Sequence, residues 1–259
     1  MREAVVSAAR FMSTRADEPI ALGDVADHVG YSPFHLARTF ERELGMPPGQ
    51  YLTAHRFQKA KQLLLQTDER IIDICNAVGF SAVGTFTTRF SAAVGATPVE
   101  FRRLPDVLTD SPPKPVSVPG VDSGGGTVMG TVRLSPAAQL ALGPDPAVYV
   151  GLFPKRAARG FPVSGTLLAE PGDFLLTGVP PGMYWVLSSA LPTAADARAQ
   201  LIPGHTVAGA CPRTVRVSAA SPAHQRDVQL DVGQDWSPPV LIALPALASA
   251  DAQERRRHR

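Results

Sequence analysis

The sequence is poor in residues that cross-link, anchor or export a protein. It has two cysteines in 259 residues, and they lie far apart at Cys75 and Cys211. A structural disulfide is therefore not expected, which favours the cytoplasm. The longest apolar run, Val240 to Ala248, is interrupted by Pro245 and is far shorter than the roughly 20 residues that cross a membrane. The first fifteen residues lack the pattern of a signal peptide, so we expect a cytoplasmic protein without a membrane segment.

Clusters that carry catalysis or bind metals are also missing. His205 and His224 are isolated, and no group of histidine, cysteine and aspartate has metal-site spacing. No serine has the glycine frame of a nucleophile elbow, and no paired carboxylates stand out. The sequence therefore predicts no enzyme, no cofactor and no metal. A redox-sensing thiol at Cys211, beside Arg213, is less favoured than a plain free thiol.

One unit occurs twice between Leu22 and Phe101. In both copies, apolar residues recur at i, i+3, i+4 and i+7, a turn of glycine, aromatic residue and serine follows, and apolar residues then recur every four positions. The first copy comprises Leu22, Val25, Ala26, Val29, Gly30, Tyr31, Ser32, Leu36, Phe40 and Leu44. The second comprises Ile71, Ile74, Cys75, Val78, Gly79, Phe80, Ser81, Phe86, Phe90 and Val94, offset by 49 residues up to the turn and by 50 after it. Each copy predicts a helix-turn-helix unit.

The segment from Pro48 to about Gln66 predicts a connecting helix with Tyr51, Phe57 and Leu64 on its apolar faces. About 19 helical residues span about 28 Å, comparable with the roughly 34 Å between successive major grooves on one side of DNA. One helix-turn-helix unit alone is equally typical of ordinary helical packing. Two copies at one offset, joined by a rod, favour paired DNA-reading helices.

The stretches Leu22 to Phe40, Gly45 to Leu52, Ala77 to Ser81 and Gly95 to Arg102 resemble the AraC/XylS type of bacterial transcription regulator. The likeness covers about residues 5–104. It implies a seven-helix domain that binds double-stranded promoter DNA, commonly as an activator that touches RNA polymerase. It implies nothing about residues 111–259. In the commoner family arrangement the sensing domain comes first, and this departure weakens any carry-over of effector binding.

The exposed face of the first recognition helix is the predicted reading surface. Ser32 is expected to cap this helix and is a candidate for a phosphate contact. Arg38 suits a bidentate contact with guanine, and Phe34 suits a thymine methyl group. His35, near the start of the helix, is a candidate donor to a DNA phosphate, and Arg42 lies on the same face of the helix. The alternative for each is a solvated surface residue.

The second recognition helix is chemically poorer. It presents Val83, Gly84, Thr85, Thr88 and Arg89, with Thr88 at the position where the first helix has its arginine. The family often has an arginine here too, and this departure weakens the expectation of strong guanine reading by the second helix. We expect methyl and hydroxyl contacts from this helix and a phosphate contact from Arg89.

Further phosphate contacts are assigned to Ser81, as the second cap, and to His55 and Arg56 on the connecting helix. A solvated charged face is at least as good an interpretation of that helix. Residues 1–110 contain 12 basic and 13 acidic side chains, so their charge must be segregated by face if they bind DNA. The cations expected on the DNA side are Arg38, Arg42, Arg56, Lys59, Lys61 and Arg89.

The remainder of the chain has a different composition. Residues 105–126 are rich in proline and glycine and are predicted to be a linker. Residues 127–247 alternate apolar and polar residues in about seven short runs, the last from Val240 to Leu244, which predicts an all-β sandwich. Residues 248–259 form a basic tail, expected to be disordered. The fold class is therefore an all-α double helix-turn-helix domain followed by a prealbumin-like or immunoglobulin-like sandwich.

The hairpin around Gly172 to Leu187 resembles the transthyretin-like modules of carboxypeptidase regulatory regions, which share no ligand or catalytic residues. Two roles remain open for this half: a sensor of a small-molecule effector, and a homodimerisation or protein-interaction module, which is slightly favoured. A different reading of the whole chain is a ligand- or carbohydrate-binding sandwich protein, or an enzyme, in which the helical half serves only for interactions.

Overall fold

A computed structural model describes residues 2–110, 116–120, 125–157, 159–193, 196–203, 206–218 and 223–247. These residues divide into two compact units. The first is helical and consists of residues 2–102 together with 233–241; the second is rich in β-strands and consists of residues 103–232 together with 242–247. The predicted boundary near residue 104 is therefore incomplete, because a later segment returns to the helical unit.

The helical unit contains the expected helix-turn-helix pairs. Its helices are α1 (Arg2–Thr14), α2 (Leu22–His28), α3 (Pro33–Leu44), α4 (Pro48–Gln66), α5 (Ile71–Ala77), α6 (Val83–Val94) and the first part of α7 (Pro98–Asp110). The two turns repeat each other: the Tyr31 amide donates to Ala26 O at 2.9 Å, and the Phe80 amide donates to Cys75 O at 3.0 Å. The predicted duplication is confirmed at the level of single backbone hydrogen bonds.

Helix α4 packs aromatic rings into both copies. Phe40 in α3 lies edge-on to Tyr51 of α4, with ring centroids 5.3 Å apart. Six residues later, Phe57 stacks on Phe80 at 5.4 Å and contacts Phe86 at 6.1 Å. Apart from Phe80, which is half-buried, these rings are almost completely buried. Because aromatic rings dominate core energetics, α4 forms the shared core of the two helix-turn-helix copies.

A strap, defined as residues 233–241, packs on the helical unit. The Tyr51 hydroxyl donates to Trp236 O at 2.8 Å, and Arg10 Nε lies 2.8 Å from Asp235 Oδ2. Leu241 is buried at the end of the strap. The strand predicted from Val240 to Leu244 is wrong: this stretch is irregular and leads into a short helix, α10 (Leu244–Leu247). Pro238 and Pro239 directly before it cannot donate to a ladder, which disfavours a strand here.

The second unit is a large, mostly antiparallel sheet. Its strands are β1 (Val116–Val118), β2 (Gly126–Leu134), β3 (Pro146–Phe153), β4 (Gly165–Leu168), β5 (Asp173–Val179), β6 (Gly182–Pro192), β7 (Val207–Ala210), β8 (Val215–Val217), β9 (Ala223–Gln225) and β10 (Val228–Val232). The hydrogen-bonded order is β1-β4-β3-β6-β7-β10-β2-β5, with β8 beside β6 and β9 beside β2. The pairs β10–β2 and β2–β9 are parallel.

Strands from both ends of this order share one apolar core. Val150 of β3, Val186 of β6, Leu176 of β5 and Leu230 of β10 all belong to it. Two short helices, α8 (Pro136–Leu142) and α9 (Ala197–Leu201), lie between strands, and α8 adds Ala138 and Leu142 to the core. The structure establishes a β-rich unit, which is a coarser result than the expected prealbumin-like or immunoglobulin-like sandwich.

The predicted linker, residues 105–126, contains regular structure. Helix α7 continues through Pro105 to Asp110, because Leu104 and Leu108 are buried at helical spacing after Phe101. Strand β1 pairs with β4, with the Ser117 and Thr166 hydroxyl oxygens 3.2 Å apart. Residues 111–115, 121–124, His205 and the expected basic tail, 248–259, lie outside the described residues.

Candidate nucleic-acid interface

Helix α3 begins where the sequence places its cap. The Ser32 hydroxyl accepts the His35 amide at 3.3 Å, and Pro33 occupies the first helical position. Phe34 is 72% exposed, and the Arg38 guanidinium carbon lies 5.7 Å from the centroid of its ring. This cation–π contact restricts the conformations of the exposed Arg38 side chain. A large exposed ring beside an exposed guanidinium suits base edges better than it suits a folded core.

The other α3 candidates are exposed too. The His35 ring meets Tyr31 edge-on at 4.7 Å. Arg42 contacts Glu43, with Nε 3.4 Å from Oε1. An exposed pair of this kind is weak, so Arg42 can exchange its carboxylate for a phosphate.

Helix α6 presents small groups. Gly84, Thr85 and Thr88 are exposed, whereas Val83 is half-buried. Arg89 is exposed, donates to the Thr53 hydroxyl at 3.2 Å and lies 5.6 Å from the Phe80 ring centroid. The α6 surface therefore combines two hydroxyls, a bare backbone and one guanidinium.

The cap predicted at Ser81 is wrong. The N-cap of α6 is Ala82, which has no side-chain acceptor. The one-residue insertion between the second turn and Phe86 moves the cap position from the serine to the alanine. Ser81 is exposed, so a phosphate contact from it stays a prediction.

The connecting helix α4 contradicts several predictions. His55 is half-buried against Tyr51, with centroids 4.5 Å apart, and its buried Nε2 has no hydrogen-bond partner among the described residues. Burial lowers the pKa of His55 to about 4, so its imidazole is neutral at pH 7 and carries no charge for a phosphate.

Two lysines of α4 are also engaged in contacts within the fold. Lys61 is 1% exposed, and burial lowers its pKa to about 7. Its ammonium lies 3.5 Å from Val240 O of the strap and 5.5 Å from the Phe101 ring centroid. Lys59 forms an ion pair with Asp17. Neither lysine is a free cation on a DNA-facing surface, contrary to the expectation from charge alone.

Arg56 is likewise engaged within the fold. Its guanidinium donates to three backbone carbonyls, those of Ala16, Glu18 and Gly79, at 2.7, 2.8 and 3.0 Å. The predicted phosphate contact from this residue is therefore not supported by its surroundings, because these hydrogen bonds hold the side chain against the protein.

Known proteins resemble the helical unit in sequence. A family profile described as a helix-turn-helix domain matches residues 25–104. The HTH-type transcriptional activator AarP of Providencia stuartii is 36% identical over 83 residues, which are 32% of this chain and 62% of that protein. The melibiose operon regulatory protein of Escherichia coli (strain K12) is 32% identical over 94 residues, 36% of this chain and 31% of that protein. The helical unit is an AraC/XylS-type DNA-binding domain.

A solved AraC-type regulator from Chromobacterium violaceum is 33% identical, with a TM-score of 0.36, covering 39% of this chain and 90% of that one. The family assignment rests on the matched sequence rather than on this superposition. The chain spans less than two thirds of the length of either curated relative. The resemblance to the AraC/XylS type noted from the motifs is confirmed for the helical unit.

The exposed cations of the AraC/XylS-type domain that remain on its recognition helices are Arg38, Arg42 and Arg89. Within the described residues, no group of three histidine, cysteine or acidic side chains is arranged to hold a metal ion. Cys75 is buried in the helical unit, and Cys211 is buried in the core of the β-rich unit. The described helices include none that is long and apolar enough to cross a membrane.

Proposed function

We propose that the chain is a transcription regulator that binds double-stranded promoter DNA by placing α3 and α6 in successive major grooves. One observation carries this proposal: two matching helix-turn-helix units share a single core helix, α4, of 19 residues. A rod of about 28 Å holds the two units at a separation that suits neighbouring grooves on one side of DNA.

The two recognition helices have different tasks in this proposal. Arg38 makes a bidentate contact with guanine, and Phe34 packs on a thymine methyl group. Thr85 and Thr88 make weaker hydroxyl or methyl contacts, and Arg89 holds a phosphate. Helix α3 thus reads sequence, whereas α6 mainly fixes position. The exposure of these side chains supports this division.

The proposal is tested by selecting bound duplexes from a random pool with the full chain. Binding to the selected duplex is then measured by fluorescence anisotropy against a shuffled duplex of equal composition. A specific site is expected to bind about 10³-fold or more tightly than the shuffled one at physiological salt. Equal affinity for both duplexes would rule out sequence-specific regulation.

For the β-rich unit we propose a prealbumin-like sandwich that serves as a homodimerisation or protein-interaction module. Met129 and Leu175 support an interaction surface: they are cross-strand neighbours on β2 and β5 and are 40% and 51% exposed. Neighbouring exposed apolar side chains favour a partner surface. Light scattering of the parent and of a Met129→Lys/Leu175→Lys variant tests dimerisation. The second candidate role of the β-rich unit is to sense a small-molecule effector. This role predicts that a metabolite raises the melting temperature of the chain.

Activation through RNA polymerase is the proposed output. AarP is named as a transcriptional activator, and the same output is proposed here. In vitro transcription from a promoter that carries the selected site is expected to rise when the chain is added. A fall in transcript would assign repression instead.

A further inference from the structure

The side chain of Arg56 contacts the segment before the first helix-turn-helix unit and the turn of the second. From the middle of α4, Nε donates to Ala16 O at 2.7 Å and Nη2 donates to Glu18 O at 2.8 Å. On the other side, Nη1 donates to Gly79 O at 3.0 Å. The geometry of the planar guanidinium fixes the angles between these donors.

The three acceptors lie in two separate segments of the chain. Ala16 and Glu18 lie in the segment between α1 and α2, directly before the first unit begins. Gly79 lies in the turn between α5 and α6, so its carbonyl moves with the second recognition helix. One guanidinium therefore links the entry of the first unit to the turn of the second.

Neighbouring contacts strengthen both sides of this link. Lys59, three residues after Arg56 on α4, forms an ion pair with Asp17 in the same entry segment. On the second side, Arg89 of α6 donates to Thr53 of α4. The Phe80 ring lies near both guanidiniums, 5.9 Å from that of Arg56 and 5.6 Å from that of Arg89. The Arg56 contacts thus belong to a connected group of side chains.

The close approach to Gly79 is specific to the second turn. A Cβ added at Gly79 would lie 3.0 Å from Cζ of Arg56, whereas a Cβ at the matching Gly30 would meet nothing within 4 Å. Burial lowers the pKa of Arg56, with a smaller effect from Arg89, and Asp17 opposes both. Arginine nevertheless stays protonated in proteins, so it keeps all its donors.

We propose that Arg56 is a positioning residue that sets the separation and relative orientation of α3 and α6, and so fixes the spacing of the two half-sites on DNA. This inference rests on the proposed function. It replaces the phosphate contact expected of Arg56 from the sequence. A rigid link between two binding modules concentrates the second module at one distance only, and a loose link spreads it over several.

The test compares operator spacing in the full-length parent, Arg56→Met and Arg56→Lys. The selected duplex is used with its original spacing and with one base pair added or removed between the half-sites. One base pair shifts the second half-site by about 3.4 Å and rotates it by about 35°. The parent is expected to lose at least about tenfold in affinity on the altered duplexes. Arg56→Met is expected to bind the original duplex about tenfold more weakly and to show a penalty of about threefold or less for the altered spacings.

A duplex with only the first half-site separates positioning from phosphate binding. A positioning role leaves half-site affinity and its salt dependence unchanged in Arg56→Met, whereas loss of a phosphate contact lowers the salt slope by about one. The lysine variant is expected to lose spacing preference as well, because one ammonium cannot hold three carbonyls in the same arrangement. If Arg56→Lys binds DNA with the full affinity of the parent, the proposal is wrong, because the positive charge alone would then account for the effect of Arg56.

Arg102→Met is the matched control. Arg102 also donates to two backbone carbonyls, Leu64 O at 3.3 Å and Glu69 O at 2.5 Å, but these lie in the last turn of α4 and in the α4–α5 connection, and neither lies in the segment before the first unit. This variant is expected to keep the spacing preference of the parent. If Arg56→Met retains the full penalty on altered spacings, the inference fails while the proposed function stands. If Arg56→Met loses its helical circular dichroism, the affinity penalty of Arg56→Lys on the altered spacings tests the inference instead. If the parent selects no duplex, the proposed function itself fails.

Discussion

Residues 22–44 and 71–94 fold in the same way, yet their exposed faces share little chemistry. The turn hydrogen bonds match, and the inward positions Leu36 and Phe40 correspond to Phe86 and Phe90, all completely buried. On the outside, the first copy shows a large ring and a guanidinium where the second shows glycine and threonine. Core and turn positions are constrained by the fold, and solvent-facing positions are free to specialise. The comparison of the copies therefore separates the residues that the fold requires from the exposed residues that are proposed to contact DNA.

The largest expected difference concerns DNA. Arg38→Ala should weaken binding to the selected duplex by about 1–3 kcal/mol and relax base preference at one position. Thr88→Ala, at the matching position, should cost about 1 kcal/mol or less, because a neutral hydrogen bond contributes about 0.5–1.5 kcal/mol. Anisotropy titrations on the selected duplex and its single-base variants measure both.

Thr88→Arg gives the second copy the guanidinium that the first copy has at Arg38. It places a guanidinium on α6 where α3 has one and should create a guanine preference in the second half-site. If Thr88→Ala is as damaging as Arg38→Ala, the assigned division between reading and positioning is wrong. Circular dichroism of each variant controls for folding.

The two turn glycines should differ in their sensitivity to substitution. Gly30 has φ of 68° and Gly79 has φ of 79°, and an alanine costs roughly 1–2 kcal/mol in this left-handed region. Gly79→Ala should cost more than Gly30→Ala, because its methyl group would also displace the Arg56 guanidinium at 3.0 Å. Urea unfolding followed at 222 nm measures the free energy of unfolding for each. Equal losses would show that the guanidinium moves aside freely.

Local signals were sufficient to predict most of the helical unit. The apolar spacing and the Ser32 cap depend on residues within about four positions of each other. The same holds for the start of α7, where Thr97 and Glu100 form a capping box: the Thr97 amide donates to Glu100 Oε2 at 2.8 Å and the Glu100 amide donates to Thr97 Oγ1 at 3.2 Å. The exposed faces of α3 and α6 follow from the same spacing. Which of their side chains contact DNA remains a prediction.

The roles of the α4 cations depend on distant partners and were not predictable from local signals. The acceptors of Arg56 near α1 lie 38 and 40 residues away in the chain, and the strap carbonyl beside Lys61 lies 179 residues away. Charge type alone favours solvent for such residues. A surface position is therefore the expectation from sequence, and the structure contradicts it for Lys61, which is 1% exposed.

In the β-rich unit, the alternation of apolar and polar residues predicts the strands that have one buried face, such as β5. Strand β4 has three consecutive buried residues and β1 only three residues, so neither shows a period of two. The stretch Val240–Leu244 is the reverse case, in which the sequence predicts a strand that the structure does not contain. Its apolar residues alternate in sequence, but Leu241, Ile242 and Ala243 are all buried in succession without forming a strand.

The helices that follow the two copies differ at matching positions, Tyr51 and Phe101. Both rings are fully buried, but only the tyrosine carries a hydroxyl, which donates to Trp236 O of the strap. Tyr51→Phe should therefore destabilise the helical unit by about 1 kcal/mol. It should also increase hydrogen exchange at amides of residues 233–241 and leave those of α6 unchanged. Asp235→Ala, which removes the exposed ion pair with Arg10, is the control and should cost less than about 1 kcal/mol. Unchanged strap exchange in Tyr51→Phe would mean that apolar packing alone holds the strap.

The smallest expected effect concerns the missing cap. Ser32 accepts the His35 amide, whereas Ala82 at the matching position leaves the first amides of α6 without a side-chain acceptor. Because the backbone at Ala82 is already extended, with φ of −135° and ψ of 114°, a serine there can accept the Thr85 amide without rearrangement. Ala82→Ser should stabilise the helical unit by about 0.5 kcal/mol, and Ser32→Ala should destabilise it by about 1 kcal/mol. A serine at Ala82 that gives no gain in urea unfolding would show that the insertion before α6 has changed the cap geometry as well as the cap residue, so that the second copy departs from the first in its backbone and not only on its surface.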